Sequence, residues 1–323
     1  MKDGRITMQP MTTQPMTMPP VLRIGEFPAA AQALLEERLD LFALADVDAD
    51  PALRERVGAI VTRSNYAIDI ALIERLPSLR LIATNGVGFE RIPVDFARSR
   101  GITVTNTPDL LNAAVAELTI GLVLALLRQL PQADRFVRSG AWGRGAFALG
   151  SSLAGKRVGI VGMGRIGKEL ARRLAPFGVE IAYFGRTRQA LPLEWFAQPA
   201  ALARWADILI ASCPGGRATH HLIDAAVLDA LGPQGWLVNI ARGSVVDEQA
   251  LVRALERKTL AGAALDVFEC EPLGGSPLRG FDNVVLSPHI GSATHETRLA
   301  MAQLTIDNVE SFFSTGQALT PVG

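Results

Sequence analysis

Arg242, Glu271 and His289 each stand where an apolar run breaks into polar loop: WLVNIARG (236–243), AALDVFECEP (263–272) and NVVLSPHIGSAT (283–294). A strand buried in a parallel sheet reads as a nearly unbroken apolar stretch, and open α/β sheets bind ligands outside the carboxyl ends of their strands. One cation, one carboxylate and one imidazole are therefore expected at a single crevice. A guanidinium forks onto carboxylate oxygens and stabilises developing negative charge. An imidazole moves a proton near neutral pH, and a neighbouring carboxylate favours its charged form. Such a set binds an acid and delivers a proton to it. Taken singly, each residue has an ordinary structural use, as a hydrogen-bonded histidine after proline, an interdomain ion pair or a turn cap. Their recurrence at successive strand ends is what points to chemistry.

An electron carrier is implied upstream. Gly162-Met163-Gly164-Arg165-Ile166-Gly167 follows the strand-like RVGIV directly and opens the amphipathic stretch RIGKELARRLAPFG. Glycines at this spacing allow a tight turn, close approach of backbone to a pyrophosphate and close helix–strand packing, and the helix N-terminus then offers free N–H groups to the phosphates. About 20 residues on, an acid would grip the ribose 2′-hydroxyl of NAD. The chain instead reads Tyr183-Phe184-Gly185-Arg186-Thr187-Arg188. Arg186, Thr187 and Arg188 suit a 2′-phosphate, so NADPH is the expected cofactor, with NADH possible. The alternative use of these residues is a solvated basic turn.

These motifs sit in a chain of 323 residues, long enough for two domains, with 32 Lys+Arg against 32 Asp+Glu. The pI near 6.9 leaves no basic surplus for nucleic acid or an anionic membrane. Cys213 and Cys270 form no metal-type spacing and suggest a reducing, cytoplasmic compartment. His220, His221 and His295 are read as structural, with no metal site. The most apolar helical stretch, AVAELTIGLVLALLRQL (114–130), carries Glu117 and Arg128 and reads as a core helix rather than a membrane span.

The positioning elements follow from periodicity. Residues 1–19, rich in Met and Pro with little to bury, read as a disordered leader. VLRI, GAIVTR, LRLIATNG and ITVTNT then read as strands alternating with helices, followed by a long helix from Pro108 and Asp109 to about residue 130. The Gly-rich 134–156 reads as a linker or exposed arm centred on Trp142. A second strand series runs RVGIV, VEIAYFG, ADILIAS, GWLVNIA, AGAALDV and NVVLSP. The last helix, 294–313, has no following strand and is expected to return to the first domain, with a cleft between the lobes. The expected fold is α/β, with two Rossmann/flavodoxin-like doubly wound parallel sheets. Residues 20–108 and 292–323 would form a discontinuous substrate-binding domain. Residues 109–291 would form an inserted NAD(P)-binding domain, with a dimerisation arm at about 131–155.

GMGRIG, NIARGSVVDEQAL, LDVFECEP and PHIGSATHETR together resemble the D-isomer-specific 2-hydroxyacid dehydrogenase family, over about residues 21–320. Within it, FVRSGAWGRGAFALGSSLAGKRVGIVGMGRIG and YFGRT are most similar to NADPH-dependent glyoxylate/hydroxypyruvate reductases. The resemblance implies a homodimer and catalytic roles for Arg242, Glu271 and His289. It implies Asp266 near the nicotinamide and the backbone N–H groups of Val87 and Gly88 on the substrate carboxylate. Further cofactor contacts are implied for Arg165, Ile166, Cys213, Pro214, Thr219, Ala241 and Gly291. Gly215-Gly216-Arg217 departs from the family's polar sequence there, and Arg217 is a further candidate for the 2′-phosphate. Trp142 either reaches the partner subunit's site or anchors dimer packing. The implied reaction reduces glyoxylate or hydroxypyruvate to the D-2-hydroxy acid, with His289 as general acid. The alternatives are 2-ketogluconate or another 2-oxo acid as substrate, or a dinucleotide-sensing binding protein with no turnover.

Overall fold

The computed structural model describes residues 18–322. Residues 1–17 of the expected leader lie outside the described residues, but its last two do not behave as a leader. Met18 packs on a hydrophobic cluster of the first sheet. The Pro19 ring lies so near Gly58 that a Cβ there would meet it at 2.5 Å.

The chain divides into two compact units, one of residues up to Pro108 together with those from Arg298, the other Asp109–Thr297. In the first, β1 (Val21–Arg23), β2 (Leu41–Ala43), β3 (Ala59–Arg63), β4 (Leu81–Asn85) and β5 (Thr103–Thr105) form a parallel sheet of order β2-β1-β3-β4-β5. Alternate strand residues feed two cores. Leu22, Ile60, Ile82 and Val104 face one side. Val21, Ala59, Val61 and Leu81 face the other, where Ala302, Ile306, Val309 and Phe313 of helix His295–Thr315 cover them. Burial on both faces is why these strands read as continuous apolar runs.

In the second unit the strands are β6 (Arg157–Val161), β7 (Glu180–Phe184), β8 (Glu194–Phe196), β9 (Ile208–Ala211), β10 (Trp236–Asn239), β11 (Gly262–Leu265) and β12 (Val284–Leu286). Their order is β12-β11-β10-β9-β6-β7-β8, all parallel. The chain leaves β6 toward β7 on one side and later returns to β9 on the other. That reversal is the switch point at which doubly wound sheets bind ligands.

Three elements differ from the sequence reading. Strands β2 and β8 were not expected: each is a three-residue edge strand with no fully buried residue, so neither leaves an apolar run to read. The long helix starts at Asn112 rather than at Pro108, and Asp109 holds a left-handed φ of 69°. It also breaks at Gln129, whose φ is 51°, and resumes bent by 60° as Leu130–Arg138. The stretch 134–156 is therefore helical as far as Arg138 and carries a 3₁₀ turn, Ala141–Arg144. No single helix among the described residues is long and apolar enough to cross a membrane. Half of Asn112–Leu127 is core, including Val115, Leu122 and Leu126.

Candidate active site

The three predicted side chains sit on three adjacent strand ends of the second unit, those of β10, β11 and β12. Asn239, the last residue of β10 and 1% exposed, shapes the first loop. Its Oδ1 accepts the Ala241 N–H at 3.0 Å and its Nδ2 donates to the Arg242 carbonyl at 3.0 Å. The Arg242 guanidinium is anchored through Nη1 on the Ala241 carbonyl at 2.7 Å. Gly243 is a steric requirement: a Cβ there would lie 1.9 Å from the backbone of Phe268. The loop carrying Arg242 thus abuts the loop carrying Glu271.

Glu271 divides its carboxylate. Oε1 accepts the Phe268 N–H at 3.0 Å, and Oε2 meets His289 Nδ1 at 2.7 Å. Burial pushes the carboxyl upward, but the His289 hydrogen bond and charge, the Phe268 amide and the Arg242 charge outweigh it and hold Glu271 below its ordinary value. An ionised Glu271 fixes the tautomer with Nδ1–H donating. Nε2 is then the nitrogen that can pass a proton to another molecule. His289 sits at a positive φ of 54°.

That conformation is held by a residue whose part the sequence did not reveal. Asp266, 2% exposed, directly follows β11 and accepts three hydrogen bonds from the His289 loop. Ser287 Oγ and the Ile290 N–H donate to Oδ1 at 2.6 and 2.9 Å, and the Gly291 N–H donates to Oδ2 at 2.8 Å. Burial raises the Asp266 carboxyl above its usual range against the pull of these donors. The signal was available: of the three acids in LDVFECEP, only Asp266 directly ends the apolar run. A second histidine–carboxylate pair, His221 Nε2 with Glu269 Oε1 at 2.7 Å, takes its carboxylate from the same loop as Glu271, and His220 stacks on His221. Among the described residues no group of three or more His, Cys, Asp or Glu is placed to hold a metal.

The glycine loop occupies the switch point after β6. Gly162 has a φ of 105°, and a Cβ there would lie 2.6 Å from Cys213 backbone atoms. A Cβ on Gly167 would lie 2.3 Å from the Gly162 carbonyl, whereas one on Gly164 meets nothing within 4 Å. Two glycines are thus fixed by packing, and the third leaves open space in front of helix Arg165–Leu174, where a pyrophosphate would approach. Arg165 pairs with Asp109 at 2.9 Å. Arg186, Thr187 and Arg188 are exposed after β7, and the two arginines have no ion pair or hydrogen bond among the described residues. Gln189 ties their loop to the glycine loop, donating through Nε2 to the Met163 carbonyl at 2.8 Å. Nothing in the sequence marked that tie.

Cys213 is buried, its thiol pushed up to about 11 by burial. Thr219 Oγ1 donates to the Pro214 carbonyl at 2.7 Å, closing the turn that presents the exposed Arg217. Val87 and Gly88 lie in the first unit, just beyond β4, and the Val87 carbonyl accepts Asn106 Nδ2 at 2.9 Å. Trp142 is 69% exposed on the arm.

Comparison with known proteins defines the class. The NAD-binding-domain profile of the D-isomer specific 2-hydroxyacid dehydrogenases matches residues 120–291. Glyoxylate/hydroxypyruvate reductase A of Arabidopsis thaliana is 46% identical over 270 residues, 83% of this chain and 86% of the relative. The 2-ketogluconate reductase of Gluconobacter oxydans is 39% identical over 94% of this chain and 98% of its own. The solved NADPH-dependent glyoxylate/hydroxypyruvate reductase of Sinorhizobium meliloti, in complex with NADP and malonate, superposes with a TM-score of 0.90 at 44% identity, covering 95% of this chain and 97% of that one. The chain belongs to the D-isomer-specific 2-hydroxyacid dehydrogenase family, as its motifs suggested.

Proposed function

We propose that this protein uses NADPH to reduce a small 2-oxo acid, glyoxylate or hydroxypyruvate, to the D-2-hydroxy acid. The observation that carries this reading is the 2.7 Å contact between His289 Nδ1 and Glu271 Oε2, with the Arg242 charge felt at the same carboxylate. The names of the relatives and of the NADP-bound neighbour support it.

When bound, NADPH supplies the hydride for the carbonyl carbon. Gly162, Gly164, Arg165, Ile166 and Gly167 would hold its pyrophosphate, and Arg186, Thr187 and Arg188 its 2′-phosphate. Cys213, Pro214 and Thr219 are assigned to the adenosine side, with Ala241, Asp266 and Gly291 nearer the nicotinamide. Arg242 forks onto the substrate carboxylate and carbonyl oxygen and stabilises the negative charge that develops there. His289 Nε2 delivers the proton that completes the hydroxyl, and Glu271 steadies the imidazolium before transfer. A reduction screen over glyoxylate, hydroxypyruvate and 2-ketogluconate with both cofactors tests the reading. Tight NADPH binding without turnover of any of them would overturn it.

Cofactor choice gives a sharper expectation. The double variant Arg186→Ser/Arg188→Ser should lower the NADPH-to-NADH ratio of kcat/KM by about 10–100-fold, since a hydrogen bond to a charged group contributes about 1.5–3 kcal/mol. An unchanged ratio would remove these residues from the 2′-phosphate site.

We also assign the protein to the cytoplasm as a homodimer built on the arm. The arm exposes Leu130, Val137 and Trp142 by 52%, 53% and 69%, and Leu149 by 96%. Large apolar side chains gathered this way mark an interaction surface. Leu149→Asp should shift the molar mass seen by light scattering from dimer to monomer, and a wild-type monomer would refute the assignment.

A further inference from the structure

The stretch that carries Arg186, Thr187 and Arg188 is fastened at both ends within the second unit. At its start, Trp195 Nε1 in β8 donates to the Gly185 carbonyl at 3.2 Å. At its end, the Tyr183 hydroxyl accepts the Gln189 N–H at 2.7 Å, and the Gln189 carbonyl accepts the Leu191 N–H at 2.9 Å. Tyr183 is fully buried in β7, so its hydroxyl is a fixed post. The Gln189 side chain adds a further tie that leaves this stretch altogether, reaching the Met163 carbonyl at 2.8 Å. Only the amide nitrogen can make that bond, because a carbonyl oxygen accepts and cannot donate.

The far partner of the tie is held independently of it. Met163 lies between Gly162 and Gly164 and is 2% exposed. The Gly162 N–H donates to the Phe184 carbonyl at 2.9 Å, and the Ser212 hydroxyl donates to the Gly162 carbonyl at 2.7 Å. Gly167 closes on that same carbonyl, where a Cβ would lie 2.3 Å away. The arginine stretch has no such packing. Its three side chains are exposed, and its two guanidiniums, with no counter-charge among the described residues, repel each other. Donors ordered before a ligand arrives bind it more tightly, because less freedom is lost on binding.

We propose that Gln189 is a specificity-determining positioning residue: its amide holds the arginine stretch against the glycine loop, so that the 2′-phosphate and pyrophosphate sites keep a fixed spacing. The inference rests on the NADPH-dependent reductase reading and deepens it, assigning part of the cofactor preference to a neutral side chain that acts through Arg186 and Arg188.

Fluorescence titration with NADPH and with NADH, in the absence of substrate, tests this in Gln189→Met and Gln189→Asn. Methionine keeps the length and loses the donor, whereas asparagine keeps the amide and is one methylene too short for Met163. In both variants the Kd for NADPH should rise about three- to tenfold, the net worth of one hydrogen bond, and that for NADH by less than about twofold. In the Arg186→Ser/Arg188→Ser background the same substitutions should change neither constant, since residues that act as one unit are not additive. Melting curves without cofactor check that each variant is folded, and the shorter asparagine serves where methionine is not accommodated. Equal weakening of both cofactors would make Gln189 a support of the glycine loop alone. That result, an unchanged NADPH constant, or a full effect in the background lacking both arginines overturns the proposal. A wild type that binds the two cofactors equally refutes the arginine site itself. A preference lost in the variants sustains the proposal even if no 2-oxo acid is turned over.

Discussion

Replacing His289 with alanine is expected to lower kcat for hydroxypyruvate reduction by about 10²–10⁴-fold, the usual contribution of a positioned general acid. NADPH affinity, measured by fluorescence titration, should be unaffected, because the glycine loop and the arginines after β7 lie on other strand ends. Turnover retained in His289→Ala would exclude the proton-donor role. Glu271→Gln isolates the charge of the pair, since an amide keeps the shape but not the ionised form. The pH dependence has a definite sign. A carboxyl held below its ordinary value stabilises the fold at pH above the unfolded carboxylate range, and the contribution disappears as pH falls through the lowered folded value. The melting-temperature gap between wild type and Glu271→Gln should therefore be widest near neutrality and close in acid. A gap that widens in acid would contradict the ion-pair geometry.

Arg242→Gln should cost about 10²–10³-fold in kcat, the penalty typical of removing a preorganised donor to a developing oxyanion, together with a rise in substrate KM. Both parameters move because one guanidinium serves the carboxylate in the ground state and the carbonyl oxygen in the transition state. Arg242→Lys should recover only part of the loss. A lysine keeps the charge but not the fork, and the anchor from Nη1 to the Ala241 carbonyl would be gone. Steady-state kinetics over a range of substrate concentrations checks this. A variant with unchanged kcat and raised KM would restrict Arg242 to binding.

Much of this arrangement could be read from the chain. The ten longer or more buried strands appear as apolar runs because helices cover both sheet faces, and the side chains at the ends of β10, β11 and β12 are polar because the runs stop there. What escaped has physical reasons. β2 and β8 pair on one side only and bury no residue fully, so they carry no periodic signal. The break at Gln129 rests on a left-handed backbone in a residue type that gives no warning of it. The supports of the site escaped because they depend on long-range contacts. Asp266 was expected near the nicotinamide, but its hold on the His289 loop appears only when three donors from beyond β12 converge on it, and Gln189 reads as a surface amide until it reaches Met163.

The crowding at residue 243 has a consequence for anyone who would alter this protein. With no room for even a methyl group between the stretch behind the guanidinium and the chain leading to Glu271, the two cannot be adjusted independently. A change that shifts one drags the other, and with it the acid's grip on the imidazole.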